Sequence, residues 1–357
     1  MRIKQVQFQH VRMTMREPYA IAYETLSFSD NIFLRLETDA GLQGYGCAAP
    51  DVAVTKETVA GTIAVIQDII IPLLQNYDPL QLAHIIEDLR LNLKGHPSAR
   101  AMVDMALYDL LGKIAGLSLH YLLGGYRNSI LTSVTIGILP IDETLKKAKT
   151  YLAEGILALK LKGGQDVESD ISKVCTLRKE LGPNIQLRFD ANQGYSAKET
   201  LQFLKGVKDA DLELLEQPTN RHDFQLLGHI TRKAPIPIMA DESLMGLKDV
   251  FRLAKNDLAD MVNIKLMKTA GIYNALQISA VARAANIKAM VGCMDESALA
   301  IAAGLHLALS SPNITHADLD GHLELQNDPA AGAVILKKGR LHPTGRSGLG
   351  FDPDIFN

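Results

Sequence analysis

The chain has no surplus of positive charge: 37 lysines and arginines stand against 40 aspartates and glutamates, a formal net charge of −3. Without a cationic excess to neutralise phosphates, a general polyanion binder is excluded. Cysteine is scarce. Cys47, Cys175 and Cys293 are odd in number, far apart and match no zinc spacing, so reduced thiols in a cytoplasmic protein are the simplest expectation. Long apolar runs are missing too. The longest uncharged stretch, residues 298–309, falls short of the roughly 18 residues a membrane span needs and carries His306 inside it. The opening Met-Arg-Ile-Lys-Gln-Val-Gln-Phe-Gln-His alternates apolar and polar residues and has no signal-peptide core. Neither a nucleic acid nor a membrane is therefore expected as a partner.

What remains is globular material: 357 residues, 47% hydrophobic and 22% charged. That is about two domains, or one large α/β barrel that absorbs most of the length. The first third differs in texture from the rest. Residues 2–13 and 31–38 alternate like antiparallel strands, with Gly41-Leu-Gln-Gly44 as the turn into a third. Residues 55–75, 79–93 and 97–116 then read as helices, an α+β order.

From residue 130 onward, short β-like runs at 133–138, 158–162, 186–192, 212–217, 237–243, 261–266, 288–294 and 315–320 alternate with amphipathic helices such as 142–154, 167–181 and 271–285. Strand–helix alternation implies a parallel sheet, and eight strands permit closure. Polar residues end successive runs at spacings of 24 to 28: Lys162, Asp190, Glu216, Asp241, Lys265, Cys293 and Asp318. A βα unit of that length returns the chain to the same end of the next strand, which in a barrel is the catalytic mouth. An open doubly wound sheet is the alternative, but it gathers fewer of these ends around one point. The expected division is an α+β capping domain at 1–126, a barrel at 127–325, and a segment at 326–357 packing back on the cap.

Three successive runs end in a carboxylate: Phe-Asp190-Ala-Asn192, Leu-Leu-Glu216-Gln-Pro and Met-Ala-Asp241-Glu-Ser. An all-oxygen site without His or Cys suits a hard divalent cation. Crowded carboxylates without one would repel, and their pKa values would rise. Solvated loop acids explain any one of the three more easily than three at matched positions. Lys160 and Lys162 share a face at the end of the second run, and Lys265 ends the sixth, across the barrel. A substrate held at the acids would have a lysine on each side. To act as a base, Lys must be neutral near pH 7, against an ordinary pKa of about 10.4. A divalent cation, a neighbouring ammonium (Lys160 beside Lys162, Lys268 beyond Lys265) and burial all push that way. The chemistry suggested is removal of a proton α to a carboxylate, with Mg2+ stabilising the enediolate. A Schiff-base aldolase would leave the three carboxylates without a use, and a non-catalytic binding protein would leave the opposed lysines without one.

These residues resemble the enolase superfamily, in its muconate lactonizing subgroup, and are most similar to dipeptide epimerases of the Ala-Glu type. The likeness covers nearly the whole chain: a capping domain, the helix at 101–115, the Leu123-Gly-Gly-Tyr-Arg127 junction and a TIM-like (β/α)7β barrel. It is carried by Lys160-x-Lys162, Asp190-Ala-Asn192, Glu216-Gln-Pro, Ala-Asp241-Glu-Ser and Asn263-Ile-Lys265. Cycloisomerases, o-succinylbenzoate synthases and acylamino-acid racemases share these motifs. The resemblance implies one Mg2+ per subunit on Asp190, Glu216 and Asp241, and Lys162 and Lys265 as the acid–base pair. Lys160 is then expected on the substrate carboxylate, and Thr135, Cys293 and Asp295 around the substrate. It further implies a homo-oligomer acting on a small-molecule dipeptide by 1,1-proton transfer at the α-carbon of its C-terminal residue.

The narrower choice rests on Ala317-Asp318-Leu-Asp320-Gly, whose two carboxylates share a face and can receive an α-ammonium group. In such relatives the cap segment, here residues 15–31, closes over the barrel and reads side chains. It holds Arg16 against Glu17, Glu24 and Asp30. Glu24 is expected at the substrate and would disfavour a glutamate there.

Overall fold

A computed structural model describes residues 1–20 and 25–356. The chain opens with three antiparallel strands, β1 (Ile3–Ala20), β2 (Thr25–Thr38) and β3 (Gln43–Ala48), in that order. β1 and β2 run beyond the alternating stretches 2–13 and 31–38. Their distal residues leave the cap's own core: Phe28 is exposed, while Met13 and Met15 pack with Leu26 and with Leu325 from the far end of the chain. They reach over the barrel instead. There the Arg16 N–H donates to the Glu324 carbonyl at 2.8 Å, and the Ser29 hydroxyl donates to the Asp295 carbonyl.

Helices cover the other face of this sheet. The stretch expected as one helix at 55–75 is broken: Val59–Val65 leads into a widened π turn at Ile66–Ile70 and then Ile71–Leu74. Pro72 sits in that last turn. It has no N–H to donate and its ring crowds the carbonyl one turn back, a conflict that a widened turn accommodates. The helix Pro97–Ala115 is buried almost all round, as a helix wedged between two layers must be. β3 lies directly on its backbone: a Cβ on Gly46 would fall 1.9 Å from the Met102 carbonyl oxygen.

After β4 (Ile130–Leu131) come eight parallel strands: β5 (Val134–Ile136), β6 (Ala158–Lys162), β7 (Gln186–Asp190), β8 (Leu212–Glu216), β9 (Ile238–Ala240), β10 (Met261–Lys265), β11 (Lys288–Gly292) and β12 (Ile314–Asp318). They neighbour one another in sequence order. The Ser133 N–H donates to the Ala317 carbonyl at 3.1 Å, and a Thr132–Ala317 bridge joins the last strand to the first. That closure excludes the open sheet. A helix fills each of the seven connections, so the architecture is (β/α)7β. β6 and β10 are buried at all five positions, as strands covered on both faces are. Outward residues such as Leu161 and Ile264 pack beneath the helices, while Leu214, Met239, Met261 and Met290 form a separate cluster on the inward-facing positions of their strands.

The chain ends in a hairpin, β13 (Val334–Lys337) and β14 (Arg340–Pro343), paired to β4. The residues beyond cross the helix Pro97–Ala115. Asp109 on that helix is fully buried, and its carboxylate accepts N–H groups from Tyr45 at 3.0 Å and Leu349 at 2.7 Å. Lys113 completes the site at 2.8 Å. Gly348 is required beside it: its φ is +67°, and a Cβ there would lie 2.1 Å from an Asp109 oxygen. One turn back, Asp104 accepts the N–H groups of Ile272 and Tyr273 and so caps the barrel helix Ile272–Ala284. Two aspartates on one helix thus tie cap, barrel and tail together. Among the described residues no helix is long and apolar enough to cross a membrane.

Asp109→Ala would leave two N–H groups unpaired in the interior and take one partner from Lys113, which keeps Asp352 and the Gln43 carbonyl. Urea unfolding is expected to show a loss of about 2–5 kcal/mol, the scale of two buried donors left unsatisfied, with Asp109→Asn losing less.

Candidate active site

Register decides which side chains meet. Lys162 on β6 stands opposite Asp190 on β7, and Asp190 opposite Glu216 on β8. Lys265 on β10 aligns with Gly292 on β11, and Gly292 with Asp318 on β12. Each of these charged residues occupies an inward position at the C-terminal end of its strand, so the charges share one level inside the barrel mouth. Asp241 follows β9 directly. Gln217 sets the turn that presents it, accepting the Asp241 N–H at 2.9 Å and the Ser243 N–H at 3.1 Å. Gln217 holds a left-handed backbone, φ +32°, to do so.

Asp190, Glu216 and Asp241 are all buried, and one carboxylate oxygen from each lies within 4.8 Å of the others. Asn263 donates to Glu216 Oε1 at 2.6 Å, while Glu216 Oε2 is buried with no hydrogen-bond partner among the described residues. Burial, then Asp190 and Asp241, push the Glu216 carboxyl up to about 8. An all-oxygen triad with an orphaned buried oxygen fits a hard divalent cation such as Mg2+. Asp241 departs from the expected rise. Burial opposes its charge, but Lys265 and Lys268 outweigh burial and hold it far below the carboxylate range.

The lysines flank the triad as the motif spacing requires. Lys162 Nζ donates to Asp190 Oδ2 at 2.7 Å, and Lys265 Nζ lies 2.9 Å from Asp241 Oδ2 on the other side. Lys160 Nζ sits between them, 3.9 Å from Asp190 and 4.0 Å from Glu216, and is bonded to Asp318. A lowered lysine pKa is found at Lys268, where burial and Lys265 prevail. For Lys265 burial works against the ammonium, but Asp241 and Glu216 outweigh it and raise its pKa well above the ordinary value. Lys160 is raised in the same way by Asp318, Glu216 and Asp190.

The remaining expected residues line the same cavity: Thr135, Cys293, Asp295, Asp318 and Asp320 all face it. The Thr135 N–H donates to Asp320 at 2.6 Å. Cys293 is no thiolate, because burial, Asp320 and Glu296 push its pKa well up. Glu24 lies outside the described residues. Sequence reading named Lys268 only as a neighbouring charge; it is buried and ion-paired with Asp241. Glu17 it named only among the charges of the cap segment, and it missed Asp51, Lys147 and Glu324; all four line the outer cavity. Glu17 comes from β1, Lys147 from the helix Ile141–Ala153, and Glu324 from the segment after β12. No local pattern marks such residues, since only folding brings Lys147 within 3.1 Å of Glu17.

A closed α/β barrel whose mouth buries a carboxylate triad between two opposed lysines is built for metal-assisted acid–base chemistry. Residues 3–124 match the mandelate racemase / muconate lactonizing enzyme N-terminal domain, and residues 143–356 match the enolase C-terminal domain-like family. The chain belongs to this mandelate racemase / muconate lactonizing enzyme family. It is 37% identical over 352 residues to a hydrophobic dipeptide epimerase of Enterococcus faecalis, covering 98% of this chain and 99% of that one. The structure of the E. faecalis dipeptide epimerase with Mg and the dipeptide L-Leu-L-Tyr superposes with a TM-score of 0.96 over 99% of this chain and 100% of the other. An L-Lys-D/L-Arg epimerase of Desulforapulum autotrophicum is 38% identical over 351 residues, 98% of this chain and 99% of that one. The substrate-liganded L-Ala-D/L-Glu epimerase of Bacillus subtilis superposes at a TM-score of 0.96, with 33% identity and 99% of each chain covered.

Titration calorimetry with Mg2+ is expected to give a single binding event per subunit, lost in Asp190→Asn and Glu216→Gln. Chelator dialysis should abolish turnover and added Mg2+ restore it. Undiminished Mg2+ binding by both variants would remove these carboxylates from the metal site.

Proposed function

We propose that this chain is a Mg2+-dependent dipeptide epimerase, with one Mg2+ per subunit, that moves the α-proton at the C-terminal residue of a dipeptide from one face to the other. The observation that carries the proposal is the placement of Lys162 and Lys265 on opposite flanks of the Asp190–Glu216–Asp241 triad, each within 2.9 Å of a triad oxygen. Asp190, Glu216 and Asp241 would hold the metal. Mg2+ bound there supplies positive charge that competes with the lysines for those carboxylates and stabilises the charge the substrate carboxylate gains as its proton leaves.

The chain's own groups do the rest. One lysine, neutral, takes the α-proton from one face, and the other, protonated, returns a proton to the opposite face. Each direction needs the two in opposite protonation states, which makes the pH–rate profile bell-shaped. Lys160, central between the lysines, is placed to hold the substrate carboxylate. Leu26 and Val54 of the cap and Met294 of the barrel border the cavity and limit water. The Asp318–Asp320 end takes the free amino group, a use that an acylamino-acid racemase or cycloisomerase does not have for it. A homo-oligomer in the cytoplasm completes the proposal, and sedimentation of the purified chain tests the assembly.

Side-chain preference follows from the outer cavity. Glu17, Asp51, Asp295 and Glu324 border it with Lys147, and that lysine is engaged by Glu17. Arg16 borders a separate pocket with His322 and Asp328. A glutamate side chain would meet net negative charge at low dielectric, while cationic or apolar side chains would not. The relatives that act on hydrophobic and on Lys-Arg dipeptides are consistent with this reading.

Two experiments check these statements. In D2O with Mg2+ and a dipeptide offered as either epimer, Lys162→Ala and Lys265→Ala should each lose net epimerisation while each still exchanges the α-proton of the one epimer its remaining lysine faces. Near-normal epimerisation by either variant sinks the two-base mechanism. Across Ala-Glu, Ala-Phe and Ala-Lys, kcat/KM should be lowest for Ala-Glu, and a clear preference for Ala-Glu would contradict the charge argument.

A further inference from the structure

We infer that Asp170 and Tyr195 are positioning residues for one base of the pair, Lys162: their side chains clasp the loops that leave β6 and β7 and so hold the backbone from which Lys162 reaches the substrate. The inference rests on the two-lysine reading above and adds an asymmetry to it, because Lys265 is held by other means.

Lys162 is the last residue of β6, where strand pairing runs out. One further ladder bond follows, from the Gly163 N–H to the Asp190 carbonyl at 3.0 Å, and then the chain turns away. A strand end with nothing beyond it frays, and a lysine on four flexible carbons aims only as well as its Cα is fixed. Here the loop is pinned. Gly164 lies directly on the loop that follows β7, since a Cβ on Gly194 would fall 2.1 Å from the Gly164 carbonyl oxygen. Asp170, near the start of the helix Val167–Leu181, fastens that contact. Its Oδ2 accepts the Gly164 N–H at 2.8 Å and the Tyr195 hydroxyl at 2.7 Å, so one oxygen ties both loops. Tyr195 in turn donates its N–H to the Pro218 carbonyl at 3.0 Å, which joins the loop beyond Glu216.

The clasp is buried: Asp170 is 3% exposed and Tyr195 5%. A carboxylate in that position needs a counter-charge, and the buried Lys173 stands 3.5 Å from its Oδ1. The Tyr195 ring packs against Phe189 and Phe203. Both residues stand behind the cavity wall, which at this point is Lys162 and Asn192, so they act through the backbone and not on the substrate. Lys265, across the mouth, has a different support. It runs straight into the helical turn Leu266–Thr269, and the Thr269 hydroxyl donates to its carbonyl at 3.2 Å. Loosening the clasp should therefore weaken one base and spare the other.

The test follows each lysine alone. Lys265→Ala leaves Lys162 as the single base and Lys162→Ala leaves Lys265, and each background exchanges the α-proton of one epimer in D2O with Mg2+, followed by proton NMR. Tyr195→Phe, which removes one hydroxyl and keeps the ring packing, is placed in both backgrounds, and Asp170→Ala likewise. Circular dichroism and thermal melting establish that each protein is folded; if Asp170→Ala is not, Tyr195→Phe decides the matter by itself. With Lys162 as the base, Tyr195→Phe should slow exchange by about 10-fold or more, the scale on which a slightly misplaced reacting group loses rate, while with Lys265 the change should stay within about 2-fold. Calorimetry on Tyr195→Phe in the otherwise wild-type chain should show Mg2+ affinity retained. Equal slowing in the two backgrounds, or none with Lys162, overturns the assignment. An Mg2+ affinity that falls in step with the exchange rate moves the clasp's duty from Lys162 to Asp190 and overturns it too. Absence of single-epimer exchange in both parent backgrounds is a different result: it overturns the two-base reading, and this assignment with it.

Discussion

Everything at the mouth of this barrel depends on compensating buried charge. Removing a single ammonium or carboxylate from water costs several kcal/mol unless partners stand within a few ångström. Here Lys160, Lys162, Lys265 and Lys268 are interleaved with Asp190, Glu216, Asp241 and Asp318, all buried. The interleaving needs every side chain to arrive at one height. The strand register of the closed barrel provides that, and no loop of comparable length would hold it as rigidly. The same arrangement couples the groups. A cation taken up by the triad competes with the lysines for the same carboxylate charge, so metal binding and base strength are linked through a shared set of oxygens.

Selection of substrate is kept apart from this chemistry. The groups proposed to move protons and hold metal all sit on barrel strands or directly after them. The outer wall is a composite of the β1–β2 ribbon, the helix Ile141–Ala153 and the segment after β12. The cap is nevertheless rigidly seated, because Asp104 and Asp109 lock the helix Pro97–Ala115 to the barrel and the tail. A wall assembled from three distant pieces can change its charge without disturbing the buried network beneath it. That separation fits a family whose relatives act on acidic, hydrophobic and cationic dipeptides with one barrel.

The barrel was legible because its signal is periodic and local. Apolar runs with a charged residue every 24 to 28 positions can only be strand ends returning to one level, and Asp190, Glu216, Asp241, Lys162 and Lys265 could be named from that alone. The extent of β1 and β2 was not legible, since the small face their distal halves bury is completed by Leu325, about 300 residues away in sequence. Nor was the break at Pro72, where a helical pattern continues through a π turn.

What the sequence determined by itself is the identity and order of the charged strand ends, because a period of two within strands and a constant βα length between them leave little choice. What only the tertiary structure decided is how those charges divide among partners. Asp318 and Asp320 read as equivalents two residues apart. Yet, though both line the cavity, one is gripped by Lys160 and by a serine 185 positions earlier, while the other accepts the Thr135 N–H. Lys147 reads as helix surface and stands 3.1 Å from Glu17, 130 residues away. Partnerships of that range depend on closure of the barrel and on the cap lying over it. No window of local pattern contains them, because the energy that selects them exists only once the charges are buried together.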